Sequence, residues 1–459
     1  MSVSVVAESK KPTKKSPNIL FILVDDLGYS DIACYGNTFH ETPNVDRLAK
    51  EGIRFTDAYT ACAVCSPTRA SIQTGQYPIR FGITDWIPGA CMPNTPLKEI
   101  FTESILPLEE VTLAEAFREY GYKTAFIGKW HLNGKEHTTG FPEDQGYDVN
   151  IGGHHKGSPP GGYFAPFKNP KMKDKPDDHY LTDRLGDECI ELLEQYSKNK
   201  ENPFFILLSF YTVHMPIQPK EELLTYYENK LKDHPDSLWN NPGYAALVHS
   251  MDENVGRVLQ ALDKEGMADN TFVVFFSDNG GVFKLTSCYP LSLGKGYYHE
   301  GGIRVPLIIR KPGTIRAGSE SSEPVISNDF FPTLLDMAGL PLQPETHKDG
   351  LSIKPVLNGK KFKGHQALYW HYPHYHGSLE TPCSAIRIGD YKFIRHYQDG
   401  LRELYNLKED IGEVNNLVNQ MPEKAAKLEA ALDKWLDDMD AYIPATDSTY
   451  DPSKPFRNK

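Results

Sequence analysis

Five stretches of the chain are apolar without alternation: 18–24 (NILFILV), 124–128 (TAFIG), 204–211 (FFILLSFY), 271–277 (TFVVFFS) and 305–310 (VPLIIR). A strand with one wet face alternates apolar and polar residues. Unbroken runs of this length predict strands buried on both faces of a parallel sheet. Between them, apolar residues recur at three- and four-residue spacing and predict helices over 112–121, 181–199 and 244–266. The first carries its own end signals: Thr112 as N-cap, Glu115 closing a capping box, and Gly121 as the stop. Strand–helix alternation predicts an α/β fold, a large domain whose mostly parallel central sheet is flanked by helices.

The last quarter changes pattern. HQALYWHY, CSAIRIGDYKFIRHY and LRELYNL, within 365–407, are short, closely spaced and aromatic, as in an antiparallel sheet. Over 423–441, Leu428, Leu432, Trp435, Leu436 and Met439 form one stripe of an amphipathic helix. These segments predict a small C-terminal α+β subdomain, 361–459, following a catalytic domain over 16–360. The proline-rich tail beyond 442 is expected to wrap the surface. Residues 1–15 are polar and basic around VSVVA and read as a disordered arm. They lack the charged start and longer apolar core of a complete signal peptide, so an export signal is expected to have been trimmed away. The apolar run ILFILV is far too short to cross a bilayer, and no integral membrane segment is expected.

Bulk composition narrows the classes. With 459 residues, 39% hydrophobic and 24% charged, the chain has the make-up of a soluble globular protein. Its net charge of −12 argues against a nucleic-acid binder. Seven cysteines in so long a chain imply no disulfide framework.

The chemistry-bearing residues cluster at strand ends. Asp25 and Asp26 follow the first apolar run, and Asp278 and Asn279 follow the fourth. Carboxyl ends of parallel strands face the ligand crevice, and four oxygen donors there suit a hard cation, Ca²⁺ or Mg²⁺. Lys129 and His131 stand two apart in GKWHL and would share a direction in an extended segment. His214 lies just past the third run, and Lys295 sits in the glycine-rich GKGYYHEGG. In CSPTR, Ser66 reads as an N-cap and Pro67 as the first helical residue, with Gly75 as the stop. Cys65 would then project near the positive end of a helix, where anions are favoured and a thiol pKa falls. Taken alone, that thiol is also consistent with a small buried hydrophobe or, with Cys62, with a C-x-x-C metal or redox module.

Together these blocks resemble the formylglycine-dependent (type I) sulfatases of the alkaline-phosphatase-like superfamily, in particular bacterial carbohydrate sulfatases and arylsulfatase A-like proteins. CSPTR matches the C-x-P-x-R core, and SPTRASIQTGQYPIRFGI its continuation. PNILFILVDDLGYSD, GYKTAFIGKWHL, SDNGG, GKGYYHEGGIRVP and LRELYNLKEDIGEVNNL follow in the family's order, covering about residues 16–440. One departure is Asn133, where glycine is usual.

The resemblance implies that a maturing enzyme oxidises Cys65 to formylglycine. One hydroxyl of its hydrate would attack sulfur, and the sulfated intermediate would collapse when a base deprotonates the other. Ca²⁺ would be held by Asp25, Asp26, the residue at 65, Asp278 and Asn279. Arg69 would steady the hydrate, while Lys129 and Lys295 bind sulfate oxygens. His131 would be the base for collapse and His214 the acid for the leaving oxygen. The substrate expected is a sulfated saccharide, met in the periplasm or outside the cell. Subsite candidates are His154, His155 and Lys156 in one loop, His371, His374 and His376 in another, and Arg395. Phosphoester or phosphonate hydrolysis by the same superfamily chemistry is the alternative activity.

Overall fold

The computed structural model describes residues 16–454 apart from 91, 93, 178 and 200; the predicted arm, 1–15, lies outside the described residues. The strands are β1 (Asn18–Val24), β2 (Ile53–Phe55), β3 (Ala58–Tyr59), β4 (Lys123–Gly128), β5 (Val149–Ile151), β6 (Phe204–Ser209), β7 (Thr271–Ser277), β8 (Leu307–Arg310), β9 (Ser319–Ser321), β10 (Val325–Ile326), β11 (Leu368–Tyr372), β12 (Cys383–Ile388), β13 (Tyr391–His396) and β14 (Arg402–Asn406). The α-helices are α1 (Pro43–Glu51), α2 (Cys65–Thr74), α3 (Leu113–Glu119), α4 (Leu181–Ser197), α5 (Glu221–Asp233), α6 (Pro242–Lys264), α7 (Glu300–Ile303), α8 (Phe330–Met337), α9 (Lys354–Leu357) and α10 (Pro422–Asp438).

The five apolar runs become β1, β4, β6, β7 and β8. They lie in an eight-stranded sheet of order β5-β4-β6-β1-β7-β8-β2-β9. From β5 to β7 neighbours pair in parallel; β8 runs antiparallel to both β7 and β2. β1 is central, with Leu20 level with Ile206 on one side and Val273 on the other. Its side chains divide between two cores. Leu20, Ile22 and Val24 pack with Leu185, Leu193, Val255 and Leu259 of α4 and α6. Ile19, Phe21 and Leu23 pack with Ile72, Phe117 and Leu335 of α2, α3 and α8. Burial on both faces is why the run never alternates.

β11 to β14 form a four-stranded antiparallel sheet covered by α10. Its core joins Leu428, Leu432 and Leu436 to Trp370, Phe393 and Leu404. Trp435 stacks on Tyr369 with ring centroids 4.7 Å apart. The tail returns to the large domain: Lys98 N donates to the Ala445 carbonyl at 2.8 Å, and Asp447 N to the Pro96 carbonyl at 2.8 Å.

Candidate active site

Sheet order assembles the site. β4, β6, β1 and β7 are adjacent and parallel, so the residues after their carboxyl ends converge: Lys129, then Tyr211–His214, then Asp25 and Asp26, then Asp278 and Asn279. One carboxylate oxygen from each of Asp25, Asp26 and Asp278 lies within 4.8 Å of the other two, and all three residues are buried. Three buried carboxylates this close repel one another and require positive charge.

The cations provide part of it. Lys129 Nζ donates to both Asp25 oxygens at 2.9 and 2.7 Å. Lys295 Nζ donates to Asp26 at 2.6 Å. Arg69 Nε donates to Asp278 at 2.9 Å, while its Nη1 donates to the Lys129 carbonyl and to Ser209 Oγ, each at 2.7 Å. Burial lifts the Asp25 carboxyl well above its ordinary value, more than Lys129 can offset. For Asp26, burial pushes up, but Lys295 and His214 outweigh it and hold the carboxyl low. Burial also pulls the Lys295 ammonium down, yet Asp26, residue 65 and Asp25 leave it raised. One donor remains unspent: Asn279 donates through Nδ2 to Asp26 at 2.8 Å, while its buried Oδ1 has no partner. An orphaned carbonyl oxygen beside three carboxylates is the donor set of a hard cation. The residues present therefore fit Ca²⁺.

Residue 65 faces this centre from α2. The helix begins two residues earlier than the sequence indicated. Val64 is the N-cap, Cys65 the first helical residue, and Ser66 does not cap. Ser66 Oγ instead accepts from Ile87 N at 3.0 Å, because Val64 already holds the extended backbone a cap position needs. Gly75 ends the helix in the left-handed region, as expected. Cys65 is 3% exposed. Its thiol pKa is raised, not lowered: burial outweighs Lys129 and Lys295.

Cys65 Sγ lies 3.3 Å from His131 Nδ1, and His131 Nε2 sits against the Ile87 carbonyl. A carbonyl can only accept, so Nε2 carries the proton and Nδ1 presents its lone pair to residue 65. Burial, with Lys129 beside it, holds this imidazole well below its ordinary range. The Lys129–His131 segment is not extended, since His131 has φ 59°. That turn sends Lys129 to the carboxylates and His131 to Cys65. His214 Nδ1 donates to the Met215 carbonyl at 2.7 Å, leaving Nε2 3.8 Å from Asp26. A histidine thus joins the acidic centre, which sequence adjacency did not reveal. Burial holds His214 down at about 4, against the pull of Asp26.

The predicted subsite residues fall into two groups. The loop carrying His154, His155 and Lys156 lies over the site, and a Cβ on Gly157 would overlap the His131 ring. Within it His154 is buried, its Nδ1 accepting from Lys156 N and its Nε2 3.4 Å from Tyr211 Oη, whereas His155 is half-exposed and Lys156 exposed. His376 packs against Gly296, next to Lys295, where φ is 85° and any Cβ would strike the imidazole. His371 and His374 are buried: His371 contacts Ser384 Oγ and the Tyr442 carbonyl, and His374 Nε2 contacts Thr84 Oγ1 at 2.8 Å. Arg395 is paired with Asp433 of α10 at 2.6 Å.

The family profile named Sulfatase matches residues 17–340, and that of the N-sulphoglucosamine sulphohydrolase C-terminal region matches 293–441. The chain belongs to the sulfatase family. It is a sulfuric ester hydrolase, so the C-x-x-C module reading falls. Cys62 Sγ is bonded to Tyr298 Oη at 2.9 Å, and among the described residues neither group of potential metal ligands includes Cys62. The chain is 33% identical to a "Sulfatase" of Formosa agariphila over 94% of this chain and 90% of the relative. It is 28% identical to the N-acetylglucosamine-6-O-sulfatase of Bacteroides thetaiotaomicron, over 91% and 85%. The structure of Ps i-CgsB in complex with k-i-k-neocarrahexaose superposes with a TM-score of 0.78 at 28% identity, covering 95% of this chain and 96% of that one. Sulfatases resembling this chain thus share its two-part architecture.

Residues whose part sequence motifs did not signal are Ile87, whose carbonyl fixes the His131 tautomer, and Ser209, which braces Arg69. Ser209 ends an apolar strand, a position that could have marked it; a backbone carbonyl leaves no trace in sequence.

Proposed function

We propose that this sulfatase removes sulfate from a sulfated carbohydrate, using a formylglycine made from Cys65 and a Ca²⁺ held by Asp25, Asp26, Asp278, Asn279 and the residue at 65. The observation that carries this reading is the facing of residue 65 and the His131 Nδ1 lone pair inside a shell of Arg69, Lys129 and Lys295. Such a shell accepts the anionic sulfate group and balances charge that grows during S–O cleavage. Carbohydrate as substrate rests on the named specificity of the N-acetylglucosamine-6-O-sulfatase and on the neocarrahexaose bound to Ps i-CgsB.

Bound Ca²⁺ would supply Lewis acidity and charge neutralisation at the sulfate oxygens. Formylglycine would supply a hydrated aldehyde, a nucleophile with a second hydroxyl through which it can be regenerated. The remaining work belongs to the chain's own side chains. Lys129 and Lys295 hold sulfate oxygens, and Arg69 orients residue 65. His131 Nδ1 takes a proton from residue 65, its tautomer fixed by the Ile87 carbonyl. His214, charged by the proton that the bound anion draws onto Nε2, delivers that proton to the leaving oxygen while its Nδ1 stays committed to Met215. His155, Lys156 and His376, half-exposed or exposed beside the centre, contact the sugar. His154, His371, His374 and Arg395, with polar atoms committed to the fold, support the mouth.

Because Cys65 is 3% exposed at the base of the site, a maturing enzyme has to reach it before α2 is packed. Export to the periplasm or beyond fits a polymeric anionic substrate; among the described residues no helix is long and apolar enough to cross a membrane. Turnover of matured enzyme on defined sulfated saccharides, beside the matched phosphate esters, tests the reading. Hydrolysis of sulfated sugars is expected, and a preference for the phosphates would overturn it.

A further inference from the structure

A second group of ligand-type side chains lies in the C-terminal sheet, outside the chemistry above. Cys383 and His396 are cross-strand partners on β12 and β13. Glu380 stands three residues before Cys383. One donor atom from each of Glu380, Cys383 and His396 lies within 4.8 Å of the other two, and all three residues are buried. His396 Nε2 is 3.0 Å from Glu403, while Nδ1 faces Glu380 Oε1 at 3.5 Å and Thr381 Oγ1 at 3.3 Å. Glu380 is 4% exposed; its Oε1 accepts from Thr381 N at 2.9 Å, and its Oε2 has no hydrogen-bond partner.

An imidazolium between two carboxylates would explain Glu380, His396 and Glu403. It would not explain a thiol at the third corner or a buried carboxylate oxygen without a donor, which is costly. In a tetrahedral site with bonds of about 2.0–2.3 Å, neighbouring donors are about 3.3–3.8 Å apart, so the His396–Glu380 spacing needs little adjustment. The orientation of His396 by Glu403 is the carboxylate support that metal-binding imidazoles use.

We propose that Glu380, Cys383 and His396 form a binding site for a borderline-soft divalent cation of the zinc class, separate from the all-oxygen centre. Thiolate, imidazole and carboxylate together suit Zn²⁺, whereas Ca²⁺ takes oxygen alone. Three protein donors leave the fourth position to water. Binding turns the Cys383 thiol into thiolate and releases its proton to solvent. The consequence reaches the substrate mouth. Glu380 closes the loop that carries His376, since His376 N donates to the Glu380 carbonyl at 3.0 Å, and Tyr297 Oη donates to the Ser378 carbonyl. The cation would pin this loop against the segment bearing Lys295.

The test uses the full-length, calcium-saturated protein with Zn²⁺ or Co²⁺ as the only added metal. Equilibrium dialysis with metal analysis is expected to find one tightly held Zn²⁺ per chain while calcium is retained. Co²⁺ is expected to give a thiolate-to-metal charge-transfer band that persists in Cys65→Ala and vanishes in Cys383→Ser. A wild-type protein that takes up no Zn²⁺ at micromolar free metal overturns the proposal, and so does a Co²⁺ band that survives in Cys383→Ser. The wild-type arm requires no variant to fold, and neither arm depends on which ester the enzyme cleaves.

Discussion

Residue 65 meets two opposed demands, deep burial among charges and service as a nucleophile. Burial raises the pKa of the plain thiol, so an unconverted Cys65 is a neutral, weak nucleophile at neutral pH. Cys65→Ala is therefore expected to abolish turnover with circular dichroism unchanged. Across preparations, activity should rise with the fraction of peptide 65 that mass spectrometry finds as aldehyde; full activity with only thiol present would sink the formylglycine assignment. The two histidines are separated by leaving group. A nitrophenolate departs without a proton and a sugar alkoxide does not. General acid help is worth about 10²–10⁴ in rate, or about 3–5 kcal/mol. His214→Ala should lose that much on a sugar sulfate and much less on a nitrophenyl sulfate. His131→Ala, which removes the lone pair facing residue 65, should slow both alike and leave sulfated enzyme behind. Equal losses on both substrates for His214→Ala would move the acid elsewhere.

The strand ends that carry Asp25, Lys129 and Asp278 were legible because strands buried on both faces write themselves as unbroken apolar runs, and their carboxyl ends are where ligands bind. The two- and three-residue strands β2, β3, β5, β9 and β10 were not, since so short a segment has no period. Ser66 misled because a serine before proline offers a cap wherever it stands, and only tertiary structure shows that Ile87 has claimed its hydroxyl. The loop bearing Lys295 depends on Glu413, which lies within LRELYNLKEDIGEVNNL but to which the sequence attached no role. Glu413 accepts from Ser292 Oγ at 2.6 Å and from Glu300 N at 2.7 Å, and pairs with buried Lys392 at 2.8 Å. Ser292 and Glu300 bracket Lys295, so Glu413 positions that lysine from the C-terminal subdomain. Glu413→Gln keeps the shape and removes the charge. It should lower kcat/KM for the sulfate ester several-fold. An unchanged kcat/KM would show that Glu413 does not act through Lys295.

At the scale of the molecule, the division we propose, 16–360 and 361–459, separates two sheets that buried ion pairs hold together. Lys392 of β13 is buried against Glu300 of α7 at 2.9 Å, and Arg387 of β12 against Asp57 at 2.7 Å. His374 closes the same joint on Thr84, and His371 is held within the C-terminal subdomain by Ser384 and Tyr442. Burial holds His371 down at about 4 and His374 at about 3, so both are neutral in the fold at pH 7. In the unfolded chain their pKa is about 6.5. Below that value the unfolded state binds more protons than the folded one, so stability falls as pH drops from 6.5 toward 4. For each histidine the loss between pH 7 and pH 5 is about 2 kcal/mol. Asp85, lifted to about 6 by burial, works in the opposite direction, because its folded carboxyl takes up a proton more readily than the unfolded one. The contribution of one histidine is therefore read as a difference. His374→Gln keeps a hydrogen-bonding group for Thr84 and cannot be charged. Its melting temperature should fall less between pH 7 and pH 5 than that of wild type. Hydrogen exchange should show wild type opening first at 84–87 and 368–376, and the variant opening later. Thr84 stands three residues before Ile87, the residue whose carbonyl orients His131, so acid that loosens this joint should also cost turnover before the chain unfolds. An identical fall in melting temperature for both proteins would place the acid sensitivity in groups other than His374.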